Sequence, residues 1–250
     1  IGNPQNMLIG QVLHLPFKDY LLHASVPSVL GLAVVWGVLY CFYRGKWESP
    51  HEKQPVAAPE FSLWQTVKGL FVLVVLVVFF LIAPWPREAA ALAAGGLLLC
   101  SRRMRSREML ALVDWQLLVL FFGLFIVNYA LQQSGWLEVL MSGLASSGIN
   151  PSHPGWLFAL STALSNLVSN VPAVMLLLPS ATHPQAGAVL ALSSTLAGNL
   201  LLVGSIANLI VADQAAQYGI RITWGMHARV GVPVTLLTLL IAGLWLWLLA

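Results

Sequence analysis

Two stretches of the 250-residue sequence gather neutral polar side chains within apolar surroundings. One is Ser165-Asn166-Leu167-Val168-Ser169-Asn170-Val171-Pro172, and the other runs from Gly198-Asn199 to Gly204-Ser205-Ile206-Ala207-Asn208. An amide or hydroxyl oxygen can replace a water on a cation, and an amide nitrogen can donate to an oxyanion. Nucleophilic catalysis fits poorly, because Ser165, Ser169 and Ser205 have no His or Lys close in sequence to act as the activating base. A lone Asn in an apolar helix usually does no more than bond to a neighbouring helix, worth under ~1 kcal/mol on average. Asn166, Asn170, Asn199 and Asn208, set at two predicted helix interruptions, point instead to a solute or ion site.

The titratable residues add little to this. Asp213, shortly after Asn208, is the acid set deepest in apolar sequence and is a candidate for ion coupling. Its competing reading is a solvated group, or one paired with Arg221, at the end of a span. Asp114 precedes an apolar run and fits a helix start. The histidines show no i, i+4 pair beside a carboxylate, so no resident metal is expected. Cys41 and Cys100 read as isolated thiols. No phosphate-cradling Gly-x-x-x-x-Gly-Lys-Ser/Thr is present, which argues against ATP drive within the chain.

Such a site needs a membrane-embedded scaffold. Charged residues make up 8% of the chain and hydrophobic ones 58%, against about 25% and 45–50% in soluble domains. That is too little charge to cover a water-facing surface. Phe71–Pro84 and Leu237–Ala250 are nearly unbroken apolar blocks that, with their flanks, approach the ~20 residues needed to cross a hydrocarbon core of about 30 Å. The net charge of +3 gathers in short loops, where it sets topology and does not mark a nucleic-acid surface.

Apolar segments are expected at Tyr20–Tyr43, Trp64–Pro84, Glu88–Cys100, Gln116–Leu131, Trp156–Pro179, Ala186–Tyr218 and Val230–Ala250. The basic loops holding Arg102, Arg103, Arg105 and Arg107, and then Arg221 and Arg229, test this map. If both are cytoplasmic, an odd number of crossings separates Leu131 from Arg221, yet two apolar segments lie between them. A re-entrant hairpin over 156–180 satisfies the count. Pro172 removes a backbone donor and disfavours helix at the preceding residue, and each arm of ~12 residues is only about 18 Å long. A Pro-kinked crossing helix is the alternative. Ala186–Tyr218, at 33 residues, would be about 50 Å as one helix, so a break at Gly198–Asn208 is expected. Unwound backbone is tolerated at membrane depth only where protein or a polar cavity satisfies it. Interrupted segments of this kind mark transporter binding sites.

The second interruption has an echo. Ile1-Gly2-Asn3-Pro4-Gln5-Asn6 follows the same order as Val203-Gly204-Ser205-Ile206-Ala207-Asn208: apolar, Gly, polar, two residues, Asn, then more apolar residues. A hairpin equivalent to 165–172 would precede Ile1. The chain is therefore expected to be the C-terminal portion of a two-repeat protein, with the first repeat largely missing.

Ser165–Pro179 and Gly198–Val211 resemble the C-terminal repeat of the ion transporter superfamily, which includes arsenite permeases, Na⁺/H⁺ antiporters and citrate and dicarboxylate symporters. Val113-Asp114-Trp115 and Phe121-Phe122-Gly123-Leu124-Phe125 resemble the segment that opens that repeat, and Ile1–Asn6 the motif that closes the first. The resemblance implies an all-α polytopic membrane protein with inverted repeats, re-entrant hairpins and broken transmembrane helices. It divides the chain into the end of the first repeat (1–43), a cytoplasmic linker (44–63), scaffold helices with the basic loop (64–112) and the second repeat (113–250), with its hairpin at 156–180 and broken helix at 186–218. The substrate and coupling-ion site would then draw on Asn166, Ser169, Asn170, Gly198, Asn199, Gly204, Ser205 and Asn208, joined by Asn3 and Asn6 from the first repeat. Ser169 stands where arsenite-permease and antiporter members often carry an acid. The implied activity is not enzymatic. It is secondary transport of a small anion or oxyanion (arsenite-, dicarboxylate- or sulfate-like) across the bacterial inner membrane by alternating access, coupled to Na⁺ or H⁺. No cofactor is implied beyond Na⁺ as a possible coupling ion, and a homodimer is the expected assembly. Na⁺/H⁺ antiport and an ion channel lined by the hairpin are the alternatives.

Overall fold

Residues 3–45, 62–83, 85–100, 107, 110, 111, 113 and 115–249 are described by a computed structural model. Every extended regular element among them is helical, and the chain is an all-α polytopic membrane protein. In chain order the α-helices are Pro4–Val12 (α1), Phe17–Tyr43 (α2), Leu63–Ile82 (α3), Arg87–Leu99 (α4), Trp115–Gln133 (α5), Trp136–Ser146 (α6), Pro154–Val168 (α7), Asn170–Leu177 (α8), Ala186–Ala197 (α9), Ile206–Gln217 (α10) and Trp224–Leu248 (α11). They fall into two compact units. One is Ser49–Gly123, and the other combines Ile1–Glu48 with Leu124–Ala250.

Within the smaller unit, α3 packs on α4. α3 is apolar on every side, and none of its most hydrophobic window is covered by protein. That is the surface a lipid-facing helix presents. α4 has 13 residues, about 20 Å, which falls short of a ~30 Å core. It matches the expected apolar segment Glu88–Cys100 to within one residue at each end. Arg102, Arg103, Arg105, Asp114, Ile1, Gly2 and most of the 44–63 linker lie outside them.

The larger unit is built around α9. Its sequence, AGAVLALSSTLA, offers small or apolar residues on all sides, and ten of its twelve residues are buried. A helix apolar all round belongs at the centre of a bundle, and α1, α2, α7, α8 and α11 all pack against it. Ile9, Leu157, Leu177, Leu190 and Ala242 form the heart of this core. α2 and α11 run antiparallel. The Trp245 indole Nε1 donates to the His23 carbonyl at 2.9 Å, while Gly31 sits within van der Waals reach of Thr238. The C-terminal end of α2 therefore lies level with the N-terminal end of α11.

α2, α3 and α11 are long and apolar enough to cross a membrane; Leu118–Gln133 and Trp136–Ser146, bent by 67°, together make a fourth candidate. The bend falls at Ser134-Gly135, where Gly135 adopts φ 76°, a left-handed conformation that glycine tolerates without penalty. α6 is not among the segments anticipated above. At 11 residues, or about 16 Å, it is too short to announce itself as a crossing.

Candidate functional site

Both predicted interruptions are present, and the fold sets them against each other. The first separates α7 from α8 at one residue. Ser169 has φ 75° and ψ 160°, a region occupied almost only by glycine and costing a side-chain-bearing residue about 1–3 kcal/mol. Pro172 does not make this break. It occupies the first turn of α8, where its missing N–H has no intrahelical partner to lose. The two helices pack on each other, with the α8 N-terminus opening at the turn.

The second interruption spans 198–205, between α9 and α10, and contains a single 3₁₀ turn at Leu202–Gly204. Side-chain amides satisfy the backbone freed there. Asn208 Nδ2 donates to the Gly198 carbonyl at 2.7 Å and to that of Leu201 at 3.3 Å. The Asn170 amide, only 3% exposed, faces two carbonyls, so its nitrogen takes that side and donates to Ser194 O at 3.0 Å and Gly204 O at 2.9 Å. One Asn thus ties the hairpin tip to both sides of the second break. Asn166 Nδ2 donates to Thr162 O at 3.0 Å, while its Oδ1 is buried without a partner.

The glycines allow this approach. A Cβ on Gly198 would stand 2.8 Å from the Asn170 amide and 3.1 Å from Ser205 Cβ. One on Gly204 would stand 3.0 Å from both Asn166 Oδ1 and the Gly198 carbonyl. Asn166, Asn170, Gly198, Gly204, Ser205 and Asn208 therefore surround one locus of neutral polar groups, with Ser169 at the turn next to Asn170. Two helix N-termini, those of α8 and α10, open onto it.

The repeated motif also has a common structure. Asn3 and Ser205 both precede a helix in extended backbone, at φ −95°, ψ 135° and φ −141°, ψ 138°. The Asn3 carbonyl accepts from Asn6 N at 3.0 Å, as Ser205 O does from Asn208 N at 3.1 Å. Each motif is thus a helix start with Asn in its first turn. Asn6 Oδ1 is buried and unpartnered. Asn3 contributes through its backbone and makes no side-chain cap.

Three residues outside the predicted set belong to this region. Gln5 is 1% exposed and donates to Thr195 Oγ1 on α9 at 3.3 Å, tying α1 to the helix that leads into the break. Ser194 supplies a carbonyl to Asn170 and keeps its own hydroxyl buried and unpartnered. His227, in the first turn of α11, sets Nε2 3.0 Å from the Asn199 carbonyl, so that oxygen is already engaged. The signal for Gln5 lay within the motif, one residue before Asn6. For His227 there was none, because its partner is far along the chain. Asp213 stands apart on the exposed side of α10, accepting from Gln217 Nε2 at 3.3 Å; it forms no ion pair with Arg221 among the described residues.

A cavity of about 800 Å³ lies elsewhere in this unit. It is lined by His153, Phe158, His183, Gln185, Leu246 and Trp247 among others, at the N-terminal ends of α7 and α9. It is distinct from the amide cluster at their C-terminal ends.

Apolar helices thus surround a locus of amides and opened backbone. The chain belongs to the citrate transporter family, whose model matches residues 1–190. It is 28% identical over 276 residues to a 46 kDa membrane protein of Mycobacterium leprae, covering 99% of this chain and 63% of that one. It is 24% identical to the arsenical pump membrane protein of Yersinia enterocolitica, over 94% of this chain and 60% of the other. The inner membrane protein YbiR of Escherichia coli is 29% identical, over 91% and 56%. The chain thus spans about three-fifths of the length of the curated relatives it matches. No solved structure matches it.

Proposed function

We propose that the full-length protein is a secondary active transporter. It moves a small carboxylate or oxyanion across the bacterial inner membrane by alternating access, driven by a Na⁺ or H⁺ gradient. One observation carries this reading: the N-termini of α8 and α10 open onto a single locus whose polar groups are all uncharged. Free N–H groups at helix starts favour anions, and among the described residues no carboxylate stands there to repel one. The names of the family, citrate transporter, and of one relative, an arsenical pump membrane protein, agree with a small anionic solute. Buried oxygens without partners on Asn166, Ser194 and Asn6 are the acceptors that a solute's own protons or an accompanying ion would satisfy.

The test is counterflow in proteoliposomes containing the full-length protein, with citrate, succinate, sulfate and arsenite as probes. Saturable exchange of at least one, accelerated by a pH or Na⁺ gradient, is expected. Absence of exchange for all four, or discrete single-channel currents in a planar bilayer, would overturn the reading.

A further inference from the structure

His227 holds a position that amide and helix-end chemistry leaves unexplained. Thr223 precedes α11 and its side chain caps it by accepting from Met226 N, and the His227 backbone N–H donates to Thr223 O at 3.0 Å. The imidazole is thus fixed in a capped first turn. One turn later Gly231 lets α11 press against the second interruption, because a Cβ there would collide with the Asn199 carbonyl and lie 3.1 Å from His227 Nε2. A carbonyl only accepts, so Nε2 must carry a proton. Nδ1 is then the atom free to gain or lose one.

We propose that His227 carries the coupling proton of the transport cycle. This rests on the transporter reading above. Nδ1 takes a proton from water on one side of the membrane, converting the neutral ring to imidazolium while Nε2–H stays on the Asn199 carbonyl. The positive charge then sits one residue from Gly198, whose carbonyl Asn208 holds and whose Cα abuts the Asn170 amide. An anion at the locus is held more tightly while the ring is charged. Loss of the Nδ1 proton to water on the far side loosens it. Imidazole is suited to this, because its charge ordinarily changes between about pH 5 and 8.

Among the described residues little else nearby can take the role. Of the elements packed on α11, α9 and the 202–204 turn carry no acidic or basic side chain. α2 brings Tyr40, Cys41, Tyr43 and Arg44 to this level, and Arg44 lies over the Tyr40 ring. On α11 itself Arg229 is exposed, and Asp213 on α10 is exposed beside Gln217.

The experiment uses full-length protein in proteoliposomes, with whichever of the four probes the wild type exchanges. In His227→Gln the side-chain N–H can still reach the Asn199 carbonyl but cannot titrate. Its exchange should persist at a reduced rate that changes less than about twofold between pH 6 and 8, whereas the wild-type rate should change by more. Accumulation driven by a pH gradient should be lost. A Gln variant that keeps the wild-type pH profile and accumulation overturns the proposal, since the hydrogen bond would then be the whole contribution, and so does a folded variant with no exchange at all, since removing the proton alone should leave exchange running. If the variant does not fold, proton uptake by wild-type protein on binding the probe near pH 7 decides. Uptake of a proton supports the assignment, and none overturns it. A wild type that exchanges no probe overturns the transporter reading itself, a result distinct from all of these.

Discussion

At the scale of single residues the site is a set of compromises between backbone and side chain. Ser169 is the sharpest. Its φ of 75° and ψ of 160° would suit glycine, and the serine persists there at a cost of about 1–3 kcal/mol. Ser169→Gly should therefore raise stability by about 1 kcal/mol, after subtracting the ~0.5–1 kcal/mol by which glycine's freedom favours the unfolded chain. Ser169→Val should lower it by at least ~2 kcal/mol, because a β-branched side chain tolerates this region worst. Thermal unfolding of the full-length protein in detergent tests both, and a glycine variant less stable than wild type would remove the strain argument. The sequence marked this turn through its cluster of amides and Pro172, but it assigned the break to proline. Proline instead begins the next helix, and no pattern in a single sequence reveals a serine held in a glycine conformation.

At the scale of elements, legibility followed length. α2, α3 and α11 lie within a few residues of their expected bounds, apart from an earlier start to α11, because a sustained apolar run has one physical outcome. α4 lies within one residue of its expected bounds as well, whereas α6, at 11 residues, is too short for that rule and was not anticipated. The break between α9 and α10 was readable because 33 residues exceed any single crossing and glycines mark the place. His227 was not readable, because helix-to-helix contacts at long sequence separation leave no local trace. The α2–α11 pair offers a test of packing. A Cβ on Gly31 would meet Thr238 Cγ2 at 3.5 Å, an ordinary contact, so Gly31→Ala should change stability by less than about 1 kcal/mol. Gly31→Leu has no room, and overpacking should cost about 1–3 kcal/mol. Equal stability of the two variants in detergent unfolding would show that these helices do not depend on close approach at Gly31.

At the scale of the whole molecule the question is which ends of these helices share a side of the membrane. Ser152 and His153 before α7 line one cavity with His183 and Gln185 before α9 and with Leu246 and Trp247 at the end of α11. These points share one end of the larger unit. Arg44 follows α2, Arg221 precedes α11 and Arg229 lies in its second turn, so the antiparallel pairing of α2 and α11 places all three at the opposite end. Excess Lys and Arg mark the cytoplasmic side, which predicts a cytoplasmic basic end and an external cavity end. α7 at 15 residues and α8 at 8, about 22 and 12 Å, would then enter and leave on the outer side as a re-entrant hairpin. A Pro-kinked crossing would instead put residues 152 and 182 on opposite sides. In a background with Cys41→Ser and Cys100→Ser, single cysteines at Ser152, Thr182 and Tyr218 separate the two. Ser152→Cys and Thr182→Cys should react with a membrane-impermeant maleimide in right-side-out vesicles, and Tyr218→Cys only in inside-out ones. Labelling of Ser152→Cys and Thr182→Cys from opposite faces would make the segment a crossing helix. The breaks would still meet at one locus, but the charge rule would have to fail in this protein.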